Sequence, residues 1–241
     1  MLHIARSELL QMVRNRAVLI TSLIMPVAAC AFFIYYRDVF AAIGSLGYIG
    51  AVIVFTIGAF SLYATTVTTL AARRQTLFLK RLRSTAAGDA SILTGLVLPT
   101  TAIAVVQVAA ILSVFALVGS PPAAPLLLVP AVLATLVMML ALALATAGVT
   151  TSPEHAQVTT LPVSLGVVAV ASWVGLTGTE NLTWLKRLLP GGSATELVTG
   201  AWDGALSPAS GEAMLLLGPT LAWVLVAVLL ASRLFRWEPR R

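Results

Sequence analysis

Two histidines, one cysteine and nine carboxylates are all that this chain offers for acid–base, nucleophilic or metal chemistry. Their spacing assembles no site. His3 and His155 lie far apart, and neither has a second histidine or a cysteine at the separations that ligate zinc. Cys30 stands alone, so no internal disulfide forms and the redox compartment is not legible. The Gly-x-Ser-x-Gly elbow of a serine hydrolase is absent. No Gly-Lys dipeptide occurs, so there is no Walker A loop to hold ATP phosphates. We therefore expect no catalytic residue, no metal and no cofactor on this chain.

The positive charges are organised where the carboxylates are not. In "RRQTLFLKRLRSTAAGD", residues 73–89, five of the fifteen Lys and Arg residues (Arg73, Arg74, Lys80, Arg81, Arg83) fall within eleven positions. The surrounding chain is 59% hydrophobic and 10% charged, with a mean hydropathy of +0.98. Soluble domains carry about 25% charged residues. The composition reads as an all-α polytopic membrane protein with little room for a soluble domain. A nucleic-acid role is disfavoured, because the charges flank apolar runs and form no groove with aromatic platforms.

A membrane helix needs about 20 mostly apolar residues. Six stretches qualify, at 17–36, 46–71, 92–118, 126–149, 161–178 and 214–233. They are too long and too continuous for barrel strands. With the N-terminus in the cytoplasm, twelve of the Lys and Arg residues lie inside and three (Arg37, Lys186, Arg187) outside. The positive-inside rule thus sets an N-in, C-in topology. Five charges in hydrocarbon would cost more than about 10 kcal/mol, so 73–89 is a cytoplasmic loop. The spans hold no acidic residue near their centres, where ion-coupled transporters keep theirs. Any energy source for transport is expected on another polypeptide.

The remaining segments have distinct characters. "MLHIARSELLQMVRNR" is amphipathic, and residues 1–16 are expected to lie on the inner membrane surface. "GSPPAAP", 119–125, is a tight outer turn, and "TTSPEHAQVTT", 150–160, a short inner loop. The outer segment 179–213 is long, with short amphipathic helices expected at 182–189 and 193–202 and with Trp184 and Trp202 suited to the headgroup level. Gly47, Gly50, Ala51, Gly58, Gly166 and Gly175 offer thin patches for helix packing. Thr56, Phe60 and Tyr63 share a helical face that could line a substrate path, with Ser164, Ser172 and Trp173 as further candidates in the fifth span. High Ala, Val and Leu with little Lys suggests a GC-rich bacterial source.

Within the charged loop, "TLFLKRLR" interleaves Phe78, Leu79 and Leu82 with its positives at helical spacing, and Asp89 is placed to cap the next span. Topology explains the charge; it does not explain the apolar stripe. Here the chain resembles the permeases of ABC-2 type exporters, in which a comparable run leads into the third span. Arg73, Thr76, Leu77, Lys80, Arg81, Leu82, Arg83 and Thr85 match; Arg74, Gln75 and Ala86 depart from the usual Glu, Gly and Pro. The six spans, the N-terminal surface helix and the outer segment match as well.

The resemblance implies one transmembrane domain over residues 1–241, with 1–16 as interfacial helix and 73–89 as coupling loop. It implies a partner permease, either a second copy or a related chain, and two separate ATPase subunits that bind ATP and Mg. Thr76, Leu77, Phe78, Leu79, Lys80, Arg81, Leu82 and Arg83 would couple to an ATPase cleft, the apolar ones filling a pocket there. The substrate would be a lipophilic drug, antibiotic or lipid-like molecule, moved outward across a bacterial cytoplasmic membrane. Two other readings stand beside it: a stand-alone polytopic enzyme or immunity protein, and a component of an ATP-driven importer.

Overall fold

Apolar runs of this length leave the backbone no partner in a bilayer but itself, and helices result. The protein, seen in a computed structural model that describes residues 20–84 and 88–234, has no strand among the described residues. Helix α1 joins a π-helical turn, Ile20–Ile24, to an α-helical part, Met25–Tyr35, and α2 is Arg37–Ile43. Helix α3 runs Leu46–Gln75 and contains a π-helical stretch, Ile57–Ala64. The charged loop forms α4, Phe78–Arg83. Then come α5 (Asp89–Val118), α6 (Pro125–Val149), α7 (Pro153–Thr177), the short α8 (Thr183–Leu188) and α9 (Gly192–Asp203), and α10 (Gly211–Leu234).

Five of these, α3, α5, α6, α7 and α10, are long and apolar enough to cross a membrane. Counted as one span bent by 70°, α1 and α2 make the sixth. The expected interfacial helix at 1–16 lies outside the described residues.

Local signals set most boundaries. Ser45 caps α3 by accepting the Tyr48 N–H at 3.1 Å. Pro125 opens α6, where its missing N–H is harmless. Residues 150–160, expected as a loop, are mostly helix. Ser152 accepts the His155 N–H at 3.2 Å, Pro153 occupies the first turn, and Glu154 favours the helix N-terminus. Asp89 lies in the first turn of α5 without capping it; Gly88 holds the cap position with no side-chain bond.

Helix α3 is the centre of the bundle. In its most apolar window 89% of residues are buried, against 22% to 28% for α5, α7 and α10. Glycine makes the closest approaches possible. A Cβ on Gly47 would lie 2.6 Å from Asp203 Oδ2 and 2.7 Å from the Thr199 carbonyl, so α9 rides directly on α3. Gly175 presses on the Tyr48 ring, whereas Gly166 has nothing within 4 Å.

The two ends of the bundle sort as the charge bias requires. At one end, Ala123 and Ala124 donate to the carbonyls of Trp202 and Ala201 at 3.0 and 2.9 Å. Gly47 N–H donates to Asp203 Oδ1 at 2.9 Å. The start of α3, the 119–124 turn and α9 therefore share the outer end. At the other end Gly148 meets Leu234, and α4 sits beside the close of α6. Trp202, expected at the headgroups, is instead buried in the core and packs on Phe115 at 5.0 Å. Trp184 is exposed.

Candidate functional site

The inner-face loop begins where α3 ends. Leu77 takes the left-handed conformation, φ 58°, which breaks the helix and turns the chain into α4. For a leucine this costs roughly 1–2 kcal/mol. The turn is held by the Leu77 N–H on the Arg74 carbonyl at 3.0 Å and by Arg81 Nη2 on the Thr76 carbonyl at 2.9 Å. Arg73 stacks its guanidinium 5.3 Å from the Phe78 ring centre. Arg74 is buried.

The apolar stripe points into the protein's own body. Leu79 is fully buried with Leu70, Ile92, Leu96, Val97 and Ala147, and Phe78 and Leu82 pack half-buried against that cluster. The pocket these side chains fill therefore belongs to α3, α5 and α6. The outward face carries Thr76, Leu77, Lys80, Arg81 and Ser84, which line a shallow depression. The side chain of Arg83 and the matching Thr85 fall outside the described positions. Residue spacing showed that two faces exist; which one faces inward depends on α5 and α6.

Four of the six candidate pathway residues, Thr56, Phe60, Tyr63 and Ser164, gather at the π-helical stretch of α3, whereas Trp173 lies against Lys186 of the outer segment. Thr56 is buried just before that stretch. Phe60 is half-buried within it, and Tyr63 is buried there with its hydroxyl 3.0 Å from Thr146 Oγ1. Ser164 of α7 is buried and donates to the Ala59 carbonyl at 3.4 Å. Ser172 and Trp173 are half-buried further along α7. Thr56, Tyr63 and Ser164 are thus enclosed within the protomer, and Phe60, Ser172 and Trp173 retain some surface.

Sequence reasoning passed over the polar groups that join these helices. Gln107, the one amide side chain of α5, is buried and accepts from Ser61 Oγ at 2.6 Å. Its signal was plain: a lone amide near the middle of a long apolar span. The outer segment holds a second network. Arg187 of α8 makes two bonds to Glu196 of α9, at 2.8 and 2.6 Å, and reaches Glu212 of α10 at 3.3 Å. Thr179 donates to Glu196 at 2.8 Å. Bonding to Glu196 holds the Arg187 guanidinium above its ordinary value, against a smaller opposing effect of burial. Lys186 is buried, donates to Thr177 Oγ1 and the Gly178 carbonyl at the end of α7, and lies 5.1 Å from the Trp173 ring centre. The described residues hold no group of three His, Cys, Asp or Glu able to bind a metal.

A helical bundle built round one central span, with a helical outer cap and a basic loop at the inner end, defines a multi-pass membrane protein. The family model for the ABC-2 type transporter matches residues 1–175, from the N-terminal segment through most of α7, and the chain belongs to that family. It is a membrane-spanning permease subunit of an ABC transporter, a transport component and not a catalytic one. No curated protein matches the chain.

Proposed function

We propose that this chain is the membrane half of an ATP-driven exporter, working with a second permease and two separate ATPase subunits that carry ATP and Mg. All of residues 1–241 form one transmembrane domain in this reading, because α10 packs along α6 and the outer helices rest on α3. The substrate is a lipophilic drug, antibiotic or lipid-like molecule, and the membrane is a bacterial cytoplasmic one.

The observation that carries the proposal is the two-faced construction of α4. A six-residue helix is far below the length that holds itself together in water. Leu79 anchors it to the bundle, and the anchored helix presents Thr76, Leu77, Lys80, Arg81 and Ser84 outward. A loop needed only for topology has no use for a rigid, partly apolar outward face. An ATPase cleft that receives Leu77 and meets Lys80 and Arg81 with acidic groups explains it. Force on this face passes through Leu79 to α3, α5 and α6 together. In the pathway, Phe60, Ser172 and Trp173 meet substrate first, and Thr56, Tyr63 and Ser164 are reached when α3 and its neighbours part.

The test is co-expression and purification of the permease with candidate ABC ATPase subunits from the same source, followed by ATP hydrolysis in lipid nanodiscs with a lipophilic cationic dye as trial substrate. Arg81→Glu reverses the charge and breaks the bond to Thr76, and is expected to abolish dye-stimulated hydrolysis. Full stimulation in that variant, or in one lacking residues 77–83, overturns the coupling role. Phe60→Ala is expected to change the dye concentration for half-stimulation, and an unchanged value removes Phe60 from the pathway.

A further inference from the structure

The described residues contain two π-helical segments, and one side chain joins them. Ile20–Ile24 lies in α1, Ile57–Ala64 lies in α3, and the two pack on each other. Gln107 sits between them from α5. Its Nε2 donates to the Leu23 carbonyl at 3.3 Å, and its Oε1 accepts from Ser61 Oγ at 2.6 Å. A carbonyl only accepts, so the contact with Leu23 fixes which end of the amide faces α1.

The α3 segment has further side-chain donors for its backbone. Thr65 Oγ1 donates to the Phe60 carbonyl at 3.2 Å, while the Thr65 N–H turns to the Leu62 carbonyl. Ser164 serves the Ala59 carbonyl at 3.4 Å. Widened turns loosen the ordinary backbone ladder, and in hydrocarbon only protein groups can satisfy the carbonyls so exposed. Hydroxyls and an amide drawn from α3, α5 and α7 thus support a winding that α3 could otherwise exchange for the regular one.

We propose that Gln107 and Ser61 are positioning residues for transport, and that together they hold α3 in one of two windings. A π-helical turn contains one residue more than an α-helical turn. Reverting it re-phases everything below by about one position, roughly 100° around the axis and ~1.5 Å along it. The residues below are the buried inner half of α3 and the turn at Leu77 that carries α4, and Tyr63, next to last in the π-helical stretch, turns with them. A pull on α4 is thereby converted into rotation of the central helix, which carries Tyr63 away from Thr146. Release of the Gln107 bridge permits the change, and its re-formation restores the resting state.

This inference rests on the ATP-driven reading, and the experiment separates the two. One permease of the complex, in a Cys30→Ala background, carries spin labels at Gln75 and Leu126, exposed positions near the inner end of α3 and the outer start of α6. The distance between the labels is measured in nanodiscs without nucleotide and with ATP and vanadate. In the otherwise unaltered complex the label at Gln75 is expected to shift by up to about 8 Å, the chord of that rotation at the helix surface. Gln107→Leu, and the milder Ser61→Ala, are expected to leave assembly and basal ATP hydrolysis within about twofold. They are expected to shrink the nucleotide-driven shift by at least half, and the double variant by no more than the stronger single one. Absence of ATP hydrolysis by the unaltered complex overturns the ATP-driven reading, and this inference with it; hydrolysis with no shift at Gln75 refutes the winding switch alone. A normal shift in the unaltered complex and an equal shift in the variants refutes the switch as well. So does a loss of assembly in step with the loss of motion in both variants, which is the mark of a purely structural role.

Discussion

Leu77 and Leu79 are two residues apart, and the structure gives them opposite duties. Leu79 has no exposed surface and is the centre of the cluster that seats α4; Leu77 is 46% exposed in a left-handed turn. Truncating a fully buried leucine to alanine costs about 2–5 kcal/mol. Because α4 is too short to persist undocked, that loss falls on the local docking equilibrium and raises its opening about thirtyfold to several thousandfold. Leu77→Gly acts in the other direction. It relieves roughly 1–2 kcal/mol of left-handed strain and adds back up to about 1 kcal/mol of unfolded-state freedom, so the turn is retained or slightly strengthened. Amide hydrogen exchange over residues 76–84 of the solubilised permease measures the loop. Capture of the partner ATPase measures its outward face. Leu79→Ala is expected to raise exchange at least tenfold and to weaken capture as a consequence. Leu77→Gly is expected to leave exchange within about threefold and still to weaken capture. If Leu79→Ala left exchange unchanged, or if both variants loosened the loop equally, the assignment of inner and outer faces would be wrong.

The approach of α9 to α3 depends on Gly47, whose added Cβ would meet Asp203 and the Thr199 backbone at less than 3.0 Å. Gly47→Ala is expected to lower the thermal midpoint by an amount equivalent to about 1–3 kcal/mol, while Gly166→Ala, with open space around it, leaves the midpoint unchanged; equal midpoints would contradict this packing. In the outer cap, Glu196→Gln removes the charge that faces both Arg187 and Thr179 and is expected to raise proteolysis within 179–213. Glu212→Gln, which loses only a contact at 3.3 Å, is expected to do much less. The raised Arg187 value adds stability that is fully present below the ordinary arginine range and lost only as pH rises beyond it. Cap integrity is therefore expected to be flat across the neutral range. A cap that loosens from pH 7 to pH 9 would show that some group other than this arginine controls it.

What the sequence determined alone is what depends on neighbours along the chain. Span length follows from apolar run length, because hydrocarbon admits no unsatisfied backbone. Sidedness follows from the Lys and Arg bias, and the short helices at 78–83, 183–188 and 192–203 follow from amphipathic spacing between breakers. The start of α7 at Pro153 was legible too: Ser152, Pro153 and Glu154 form a complete helix-start signal, but polar composition made the stretch look like a loop. Tertiary structure alone decided the rest. Gln107 finds Ser61 and Leu23 across 46 and 84 positions of sequence, and no local pattern names such partners. The most apolar window of every one of the five long spans has a mean hydropathy between 1.7 and 2.7, and α3 at 1.9 is not set apart, so hydropathy could not tell that α3 is enclosed while α5, α7 and α10 keep most of their surface outward. Trp202 is aromatic and close to a span end, which suits a headgroup belt equally well; α3 and Phe115 draw it inside. The inward turn of Leu79 has the same cause. A helix of six residues has two faces by its own geometry, but only the cluster of Leu70, Ile92 and Ala147 beneath it decides which face is left for a partner.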